Sequence, residues 1–235
     1  MARDVEVLRD LSEQADPRHT AFLVVDVTND FCHPEGRAVR GGRRSLEPIE
    51  RILPPIRAVA AAARRVGVPV VYVLHTTLPD GRSHSGPWLA ARERAPHSDV
   101  TVGLDGTWGQ RVLDAVAPQP GDLEVHKFRY SAFTGTRLDP MLRARGIKTV
   151  LVSGASTNVC VYATASAALE LEYYPVIVED AVASWNMDLH EAALRTFRAR
   201  YGLTCQSADL LALWQAADEG SAGSGSQAPS GTVAG

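Results

Sequence analysis

The chain has 235 residues, of which 45% are hydrophobic and 22% charged, and its formal net charge at pH 7 is -3. This is the composition of a globular protein with enough apolar residues for one substantial core, and it excludes a chain that is disordered throughout. Because no basic run exceeds a pair of adjacent arginines, we expect neither a nucleic acid nor a membrane as partner, but a small molecule.

In chain order, short apolar runs rich in β-branched residues alternate with segments of helical period. The predicted strands cover residues 21–26, 68–75, 122–127, 148–153 and 174–179, with a weaker sixth near 203–207. This alternation is typical of a parallel sheet built from repeated βα units. We expect a doubly wound strand order with the first strand central, because that order brings the carboxyl ends of the first and fourth strands side by side.

The predicted helices cover residues 46–66, 108–116, 137–145, 158–171, 187–200 and 208–217. The first contains Pro48, Pro54 and Pro55, and proline suits only the first turn of a helix. We therefore expect this helix to be broken, or to begin at Pro54 or Pro55. Gly67 and Gly146 each follow a helical segment and precede a strand, as glycines that end helices do.

One domain, residues 1–217, accounts for all of these elements. Within it, residues 76–106 form a long irregular insertion rich in proline and glycine, and loops of this length are usually lids or contacts with a partner. Residues 218–235 hold five glycines and four serines with almost no large apolar side chain, which predicts a disordered tail.

The three cysteines, Cys32, Cys160 and Cys205, are far apart in the chain and form no CxxC pair. This pattern argues against a disulfide framework or a zinc ribbon and favours a reducing compartment. The N-terminus lacks the apolar core of a signal peptide, and every apolar run falls well short of the roughly 18 residues that span a bilayer. We expect a cytoplasmic protein.

Reactive side chains end three of the predicted strands. Asp26 ends the first, Lys127 ends the third, and the fourth runs through a short turn into Cys160. An aspartate in this position is also a common cap of a turn or helix. Only two of the 24 basic residues are lysines, so Lys127 suggests a need for a compact ammonium group, although codon usage explains the scarcity equally well.

The surroundings of Cys160 favour a nucleophile over the more common buried, inert cysteine. The preceding turn, residues 154–158, contains Ser, Thr and Asn, which are good N-cap residues, so Cys160 is expected in the first turn of a helix. The helix macrodipole and the free backbone amides there stabilise a thiolate and can receive an oxyanion. A nearby ammonium and carboxylate would supply the charge and proton transfer that a cysteine nucleophile requires.

Four segments together resemble one known family: VVDVTNDF (24–31), HKFRYSAFTGTRLD (126–139), GIKTVLVSGASTNVCVYATASAALE (146–170) and VIVEDAVAS (176–184). They resemble the isochorismatase-like cysteine hydrolase superfamily and, within it, the ureidoacrylate and N-carbamoylsarcosine amidohydrolases. The resemblance implies a three-layer α/β/α sandwich around a mostly parallel six-stranded sheet. It also implies a homodimer or homotetramer, with the insertion as the expected contact between subunits.

By the same resemblance, Asp26, Lys127 and Cys160 form a triad that hydrolyses small amide or ureido compounds. Cys160 is the implied nucleophile, and Asp26 the base that takes the thiol proton and returns it to the leaving amine. Lys127 is the cation that holds this pair in its charged state. The bond between Ala155 and Ser156 is expected to be cis, and the backbone N–H groups of Ser156 and Cys160 to form the oxyanion hole.

Three further residues are candidates for substrate binding. Tyr130 is implied by the resemblance to face the substrate, and Asn29 and Phe31, on the loop after Asp26, are placed to line the pocket. Packing or a subunit contact is the favoured role for three tryptophans: Trp88, Trp108 and Trp185.

No metal or other cofactor is expected. Nicotinamidases of the superfamily bind a metal through an Asp-x-His pair after the second strand, whereas this chain has His75, Asp80 and His84 there without that pair. Cys160 favours amide hydrolysis, since true isochorismatases lack a cysteine at the matching position. A vinyl ether hydrolase of the isochorismatase type and a catalytically silent binding protein of the same fold stay open as alternatives.

Overall fold

Six parallel strands form one sheet in the part of the chain that the computed structural model describes, residues 5–42, 44–94 and 99–223. The strands are β1 (Thr20–Val25), β2 (Val70–His75), β3 (Leu123–Lys127), β4 (Thr149–Ala155), β5 (Tyr174–Ala183) and β6 (Leu203–Cys205). Their order across the sheet is β3-β2-β1-β4-β5-β6, and every neighbouring pair is parallel. The expected doubly wound order is confirmed, with β1 between β2 and β4.

Helices cover both faces of this sheet and make the fold a three-layer sandwich. In the described residues they are α1 (Leu11–Gln14), α2 (Asn29–Cys32), α3 (Glu47–Arg65), α4 (Gly86–Glu93), α5 (Leu138–Arg143), α6 (Tyr162–Glu170), α7 (Met187–Arg200) and α8 (Ser207–Gly223). Helices α3 and α8 pack on one face, and α5, α6 and α7 pack on the other. No helix among the described residues is both long enough and apolar enough to cross a bilayer.

The central strand β1 is buried along its whole length. Successive side chains of a strand point to opposite faces, so Phe22 and Val24 enter one core while Leu23 and Val25 enter the other. A strand that is covered on both faces is apolar at every position rather than at every second one. The unbroken run AFLVV in the sequence follows from this placement.

Helix α3 is continuous from Glu47 to Arg65, so the expectation of a break or a start at Pro54 or Pro55 was wrong. The two prolines remove backbone donors on the outer side of the helix, where Pro54 is exposed to solvent. On the inner side, isoleucines and a valine remain in register against the sheet: Ile49, Ile52, Ile56 and Val59. Burial of this apolar face stabilises the helix across the two missing hydrogen bonds.

The prediction of a helix over residues 108–116 was also wrong. The segment forms two short 3₁₀ turns, Trp108–Gln110 and Asp114–Val116, and between them Val112 forms an antiparallel bridge with Thr28. The segment is also bonded to α2, since the carbonyl of Arg111 accepts a hydrogen bond from the amide of Asn29 (2.9 Å).

The insertion and the C-terminal segment contain more regular structure than expected. Residues 76–106 include a 3₁₀ turn, Pro79–Gly81, and helix α4, while residues 95–98 lie outside the described part of the chain. Helix α8 extends to Gly223 and so covers the beginning of the predicted tail. The remainder of that tail, 224–235, lies outside the described residues.

Candidate active site

The carboxyl ends of β1, β3 and β4 bring Asp26, Lys127 and Cys160 together. Asp26 follows β1 directly, Lys127 is the last residue of β3, and Cys160 lies five residues beyond the end of β4. The Nζ atom of Lys127 lies 2.8 Å from Oδ2 of Asp26 and 3.4 Å from Sγ of Cys160. The three residues that the sequence singled out therefore form one cluster at the edge of the sheet where parallel α/β proteins bind ligands.

Both carboxylate oxygens of Asp26 accept hydrogen bonds from groups on the neighbouring strands. Its Oδ1 accepts a hydrogen bond from the backbone N–H of His75 (2.8 Å), and its Oδ2 accepts one from Lys127. The Asp26 backbone has a φ of 55°, in the left-handed region that residues other than glycine seldom adopt. Strained backbone of this kind clusters at functional sites, where the surrounding contacts fix the side chain.

Lys127 is completely buried and uses its ammonium group as a three-way donor. Besides Asp26 and Cys160, it donates a hydrogen bond to the backbone carbonyl of Arg129 (3.2 Å). Burial alone would lower the pKa of Lys127, but the charges of Asp26 and Cys160 and the hydrogen bonds to both together outweigh burial, and the pKa is raised. The ammonium group is thus charged at neutral pH, although it lies in the protein interior.

Cys160 lies in a π-helical turn, Thr157–Val161, that precedes α6, and not in the first turn of an α-helix as expected. Such turns are rare and occur frequently at functional sites. Burial raises the pKa of Cys160 to about 12; the charge of Asp26 acts in the same direction, and Lys127 opposes it. The sequence predicts a resting thiolate, whereas a dry environment and a neighbouring carboxylate favour the protonated thiol.

The backbone of the turn before Cys160 departs from regular helix and strand geometry. The peptide bond between Ala155 and Ser156 is cis, as expected from the sequence. The carbonyl of Ser156 accepts hydrogen bonds from the amides of Val159 (3.0 Å) and Val161 (3.2 Å), which lie on either side of Cys160 in the chain. The amide of Cys160 is not among the donors to that carbonyl.

Side chains behind this turn fix its conformation. The side-chain oxygen of Asn158 accepts hydrogen bonds from the hydroxyls of Ser156 (3.0 Å) and Ser184 (2.7 Å). Ser184 directly follows β5, so this triangle ties the turn to the neighbouring strand.

A glycine makes the close approach of β1 and β4 possible. Gly154 pairs with Val25 in the sheet and has a φ of 107°. A Cβ atom at this position would lie 2.0 Å from the carbonyl oxygen of Val25, which is far inside van der Waals contact. Only glycine fits here without a clash between the two strands.

A cleft of about 730 Å³ opens above the triad. Phe31 and Tyr130 line it, as predicted from the sequence. Asn29 does not line it: its side-chain amide donates a hydrogen bond to the carbonyl of Trp108 (3.0 Å) and is buried against that segment. The expectation that Asn29 lines the pocket was wrong, because its side-chain amide is engaged with the Trp108 carbonyl.

The cleft is also lined by residues that the sequence did not single out as site residues, among them Arg44, His75, Trp88, Arg92 and Trp185. The tryptophans were assigned to packing or a subunit contact, although two of them face this cleft. Trp88 and Arg92 belong to α4, so the insertion contributes to the cleft of its own chain. In the sequence, these lining residues could have been indicated by the concentration of tryptophan and arginine in segments outside the predicted strands and core helices.

His75 is the only one of the three candidate metal ligands after β2 that lines the described cleft; Asp80 and His84 do not. Burial lowers the pKa of His75 well below its ordinary value, and the charge of Lys127 acts in the same direction. The imidazole is therefore neutral at pH 7. Within the described ranges, no group of three or more His, Cys, Asp or Glu side chains is arranged to hold a metal ion.

The doubly wound sheet, with a carboxylate, an ammonium and a thiol converging at its carboxyl edge, defines the class as a three-layer α/β/α hydrolase. Comparison with known proteins gives the family. Residues 20–209 match the family described as Isochorismatase domain, which is most of the chain. The chain therefore belongs to the isochorismatase family.

Individual relatives agree with this assignment. The ureidoacrylate amidohydrolase RutB of Methylobacterium radiotolerans is 34% identical over 197 residues, covering 80% of this chain and 76% of that protein. A cysteine hydrolase from Pseudomonas syringae superposes with a TM-score of 0.78 at 28% identity, covering 91% of this chain and 99% of that one. The N-carbamoylsarcosine amidase of Thermoplasma acidophilum superposes with a TM-score of 0.66 at 35% identity, covering 80% and 96%.

Proposed function

We propose that the protein hydrolyses a C–N bond in a small amide or ureido compound, with Cys160 as the nucleophile and a thioester as the covalent intermediate. The observation that carries this proposal is the position of the Lys127 ammonium, which donates hydrogen bonds to both Asp26 (2.8 Å) and Cys160 (3.4 Å). A carboxylate, a cation and a thiol held by direct contacts are the parts that acyl transfer to cysteine requires.

In the acylation step, the carboxylate of Asp26 takes the thiol proton while Sγ of Cys160 bonds to the substrate carbonyl carbon. Because the pKa of Cys160 is raised, the proton moves as the attack occurs and not before it. The carbonyl oxygen becomes negative and is stabilised by the backbone N–H groups of Ser156 and Cys160. The C–N bond then breaks, and Asp26 returns its proton to the departing amine or ammonia.

In the deacylation step, a water molecule attacks the thioester carbonyl, and Asp26 takes one of its protons. The C–S bond breaks, and the proton passes from Asp26 to the sulfur, which regenerates the thiol. The ammonium of Lys127 keeps the carboxylate oriented through Oδ2 in both steps and offsets its charge when it is ionised. The net reaction consumes one water and releases an acid and an amine or ammonia.

The names of the relatives support amide or ureido substrates over a vinyl ether. Those names are ureidoacrylate amidohydrolase and N-carbamoylsarcosine amidase. A thiol beside a carboxylate is suited to acyl transfer, since it forms the covalent intermediate from which the amine departs. Hydrolysis of a vinyl ether would leave the Cys160 thiol without a role.

The proposal is tested by mixing the protein with a panel of small ureido compounds and primary amides and measuring ammonia release. Cys160→Ala is expected to abolish turnover, whereas Cys205→Ala, at a buried position in β6, keeps it. Rapid acid quenching followed by mass spectrometry is expected to show an acyl group on the peptide that contains Cys160. Full turnover by Cys160→Ala refutes the mechanism, and activity that vanishes on exhaustive chelation and returns with Zn²⁺ refutes metal independence.

A further inference from the structure

The side chain of Arg129, two residues beyond the end of β3, reaches the insertion. Its Nη1 donates hydrogen bonds to the backbone carbonyls of Ser83 (3.0 Å) and Phe128 (2.7 Å), and its Nη2 donates one to the hydroxyl of Ser85 (3.4 Å). Ser85 is the N-cap residue of α4. The guanidinium therefore ties the end of the strand that carries Lys127 to the beginning of α4.

Arg129 also contacts the ring of Trp88, which is buried and lines the cleft. Its guanidinium carbon lies 5.1 Å from the centroid of that ring, within the range of a cation–π interaction. Between centroids, the Trp88 ring in turn lies 4.7 Å from the ring of Tyr130 and 5.8 Å from that of His75. All three rings line the cleft above Cys160 and form an aromatic wall.

A second guanidinium, that of Arg92, lies 5.7 Å from the same Trp88 ring centroid. Arg92 belongs to α4, so it moves together with Trp88 and cannot hold that helix against the sheet. Arg129 follows β3 instead, and its backbone carbonyl accepts a hydrogen bond from the Lys127 ammonium (3.2 Å). One residue thus contacts the triad through its main chain and the aromatic wall through its side chain.

The contacts of Arg129 suit a guanidinium better than a generic cation. Its donors lie in one plane and reach two carbonyls and a hydroxyl at once, whereas a lysine ammonium is a point charge at the end of a flexible chain. Among the described residues, no carboxylate forms an ion pair with Arg129, so its charge acts on neutral acceptors and on the Trp88 ring. A charged donor binds such acceptors more strongly than a neutral donor does.

We propose that Arg129 is a positioning residue that holds Trp88 against Tyr130 and so fixes the shape of the cleft above the triad. The inference rests on the proposed function, because the aromatic wall confines a substrate whose carbonyl group lies on Cys160. A substitution of the side chain leaves the Arg129 carbonyl in place, and with it the contact to Lys127. Its effect should therefore appear in substrate binding and in access to Cys160, and not in the chemical step.

Access to Cys160 is measured without a substrate, from the rates at which iodoacetamide and the much larger fluorescein-5-maleimide alkylate it at pH 8. The Cys160→Ala protein gives the background. We expect the ratio of the large reagent's rate to the small reagent's rate to rise about fivefold or more in Arg129→Met, and by less in Arg129→Lys, which keeps the charge. Arg137→Met is the matched control, since Arg137 is exposed and donates its hydrogen bond to the carbonyl of Glu124 in β3 (3.1 Å); its ratio should stay within twofold of the parent's.

A double variant shows whether Arg129 acts through Trp88. Trp88→Leu removes the ring and should raise the same ratio, and adding Arg129→Met to it should change the ratio by less than twofold, because the ring that Arg129 holds is already gone. Additive effects of the two substitutions, or an unchanged ratio in Arg129→Met alone, overturn the proposal. Thermal denaturation shows whether each variant is folded; should Arg129→Met not fold, Arg129→Lys takes its place, and an unchanged ratio in that variant is equally adverse.

The same variants separate binding from chemistry. With any compound that the ammonia-release screen shows to be hydrolysed, Arg129→Met is expected to raise KM about fivefold or more and to change kcat by less than twofold. A lower kcat at unchanged KM would place Arg129 in the chemical step and overturn its positioning role. The alkylation ratios need no turnover, so they support or overturn the role of Arg129 even if no compound is hydrolysed, which separates this test from that of the proposed function.

Discussion

Lys127 forms a buried ion pair with Asp26 across 2.8 Å, although β2 lies between the strands that carry them. The long lysine side chain spans this separation above the end of β2, where His75 donates its backbone N–H to the same carboxylate. One carboxylate thus joins the ends of three neighbouring strands. The Asp26–Lys127 ion pair therefore connects strands at this edge of the sheet, in addition to its part in the proposed chemistry.

Removing the ammonium alone should destabilise the protein strongly. Lys127→Met leaves the Asp26 charge buried without its cation, and we expect the free energy of unfolding to fall by about 3–5 kcal/mol. The double variant Asp26→Asn with Lys127→Met removes both charges and should recover a large part of this loss. Urea denaturation of the two single variants and the double variant measures the coupling, and a double variant no more stable than Lys127→Met would contradict a coupled pair.

A substitution that keeps the positive charge at position 127 but changes the shape of the charged group should impair activity. The Lys127 ammonium reaches three acceptors in different directions: Asp26 Oδ2, the Arg129 carbonyl and Cys160 Sγ. A planar guanidinium cannot reproduce this arrangement, so we expect Lys127→Arg to lower kcat/KM on any identified substrate by about 100-fold. Circular dichroism serves as the folding control. Near-normal activity in this variant would show that a generic cation suffices.

Alkylation of Cys160 should depend steeply on pH. With a pKa raised to about 12, the thiolate fraction increases throughout the range from neutral to mildly alkaline pH. We expect the rate of iodoacetamide addition to Cys160 to rise about tenfold per pH unit from pH 7 to 10, without a plateau. Cys160→Ala gives the background from the two buried cysteines. A plateau below pH 8 would mean that Lys127 and the helical turn ionise the thiol in the resting protein.

The close approach of β1 and β4 can be tested at Gly154. We expect Gly154→Ala to lower the free energy of unfolding by more than about 3 kcal/mol, because strain at positive φ adds to a steric clash with Val25. Gly146→Ala is the matched control: Gly146 also has a positive φ (66°), but a Cβ atom there meets nothing within 4 Å. Its expected cost is about 1–2 kcal/mol. Equal destabilisation of the two variants, measured by thermal denaturation, would exclude the clash.

The sequence predicts the fold and the triad well because both depend on simple geometry. Apolar runs with strong β propensity mark the strands, and the carboxyl ends of parallel strands meet at one edge. Asp26, Lys127 and Cys160 therefore converge although more than a hundred residues separate the first from the last. Lys127 stands out because it ends a predicted strand, and the rarity of lysine in this chain adds a weaker indication with which its complete burial agrees.

The parts that were not predicted depend on packing that local sequence does not encode. Pro54 and Pro55 suggest a break in α3, but the buried isoleucines of that helix hold it against the sheet. Arg44 and Arg92 look like ordinary surface cations until stacking on tryptophan rings places them on the cleft wall. Position near a helix start predicts a lowered thiol pKa for Cys160, whereas burial, which the local sequence does not reveal, raises it.

One buried carboxylate holds together loops that contribute residues to the cleft. Asp30 is buried and accepts hydrogen bonds from the amides of Gly103 (2.8 Å) and Arg37 (3.1 Å), and a Cβ atom at Gly109 would lie 2.3 Å from it. Three loops are therefore anchored without using any triad atom. Side chains on these loops can therefore be exchanged, by design or in evolution, while Asp30 and the strand ends that carry Asp26 and Lys127 stay unchanged.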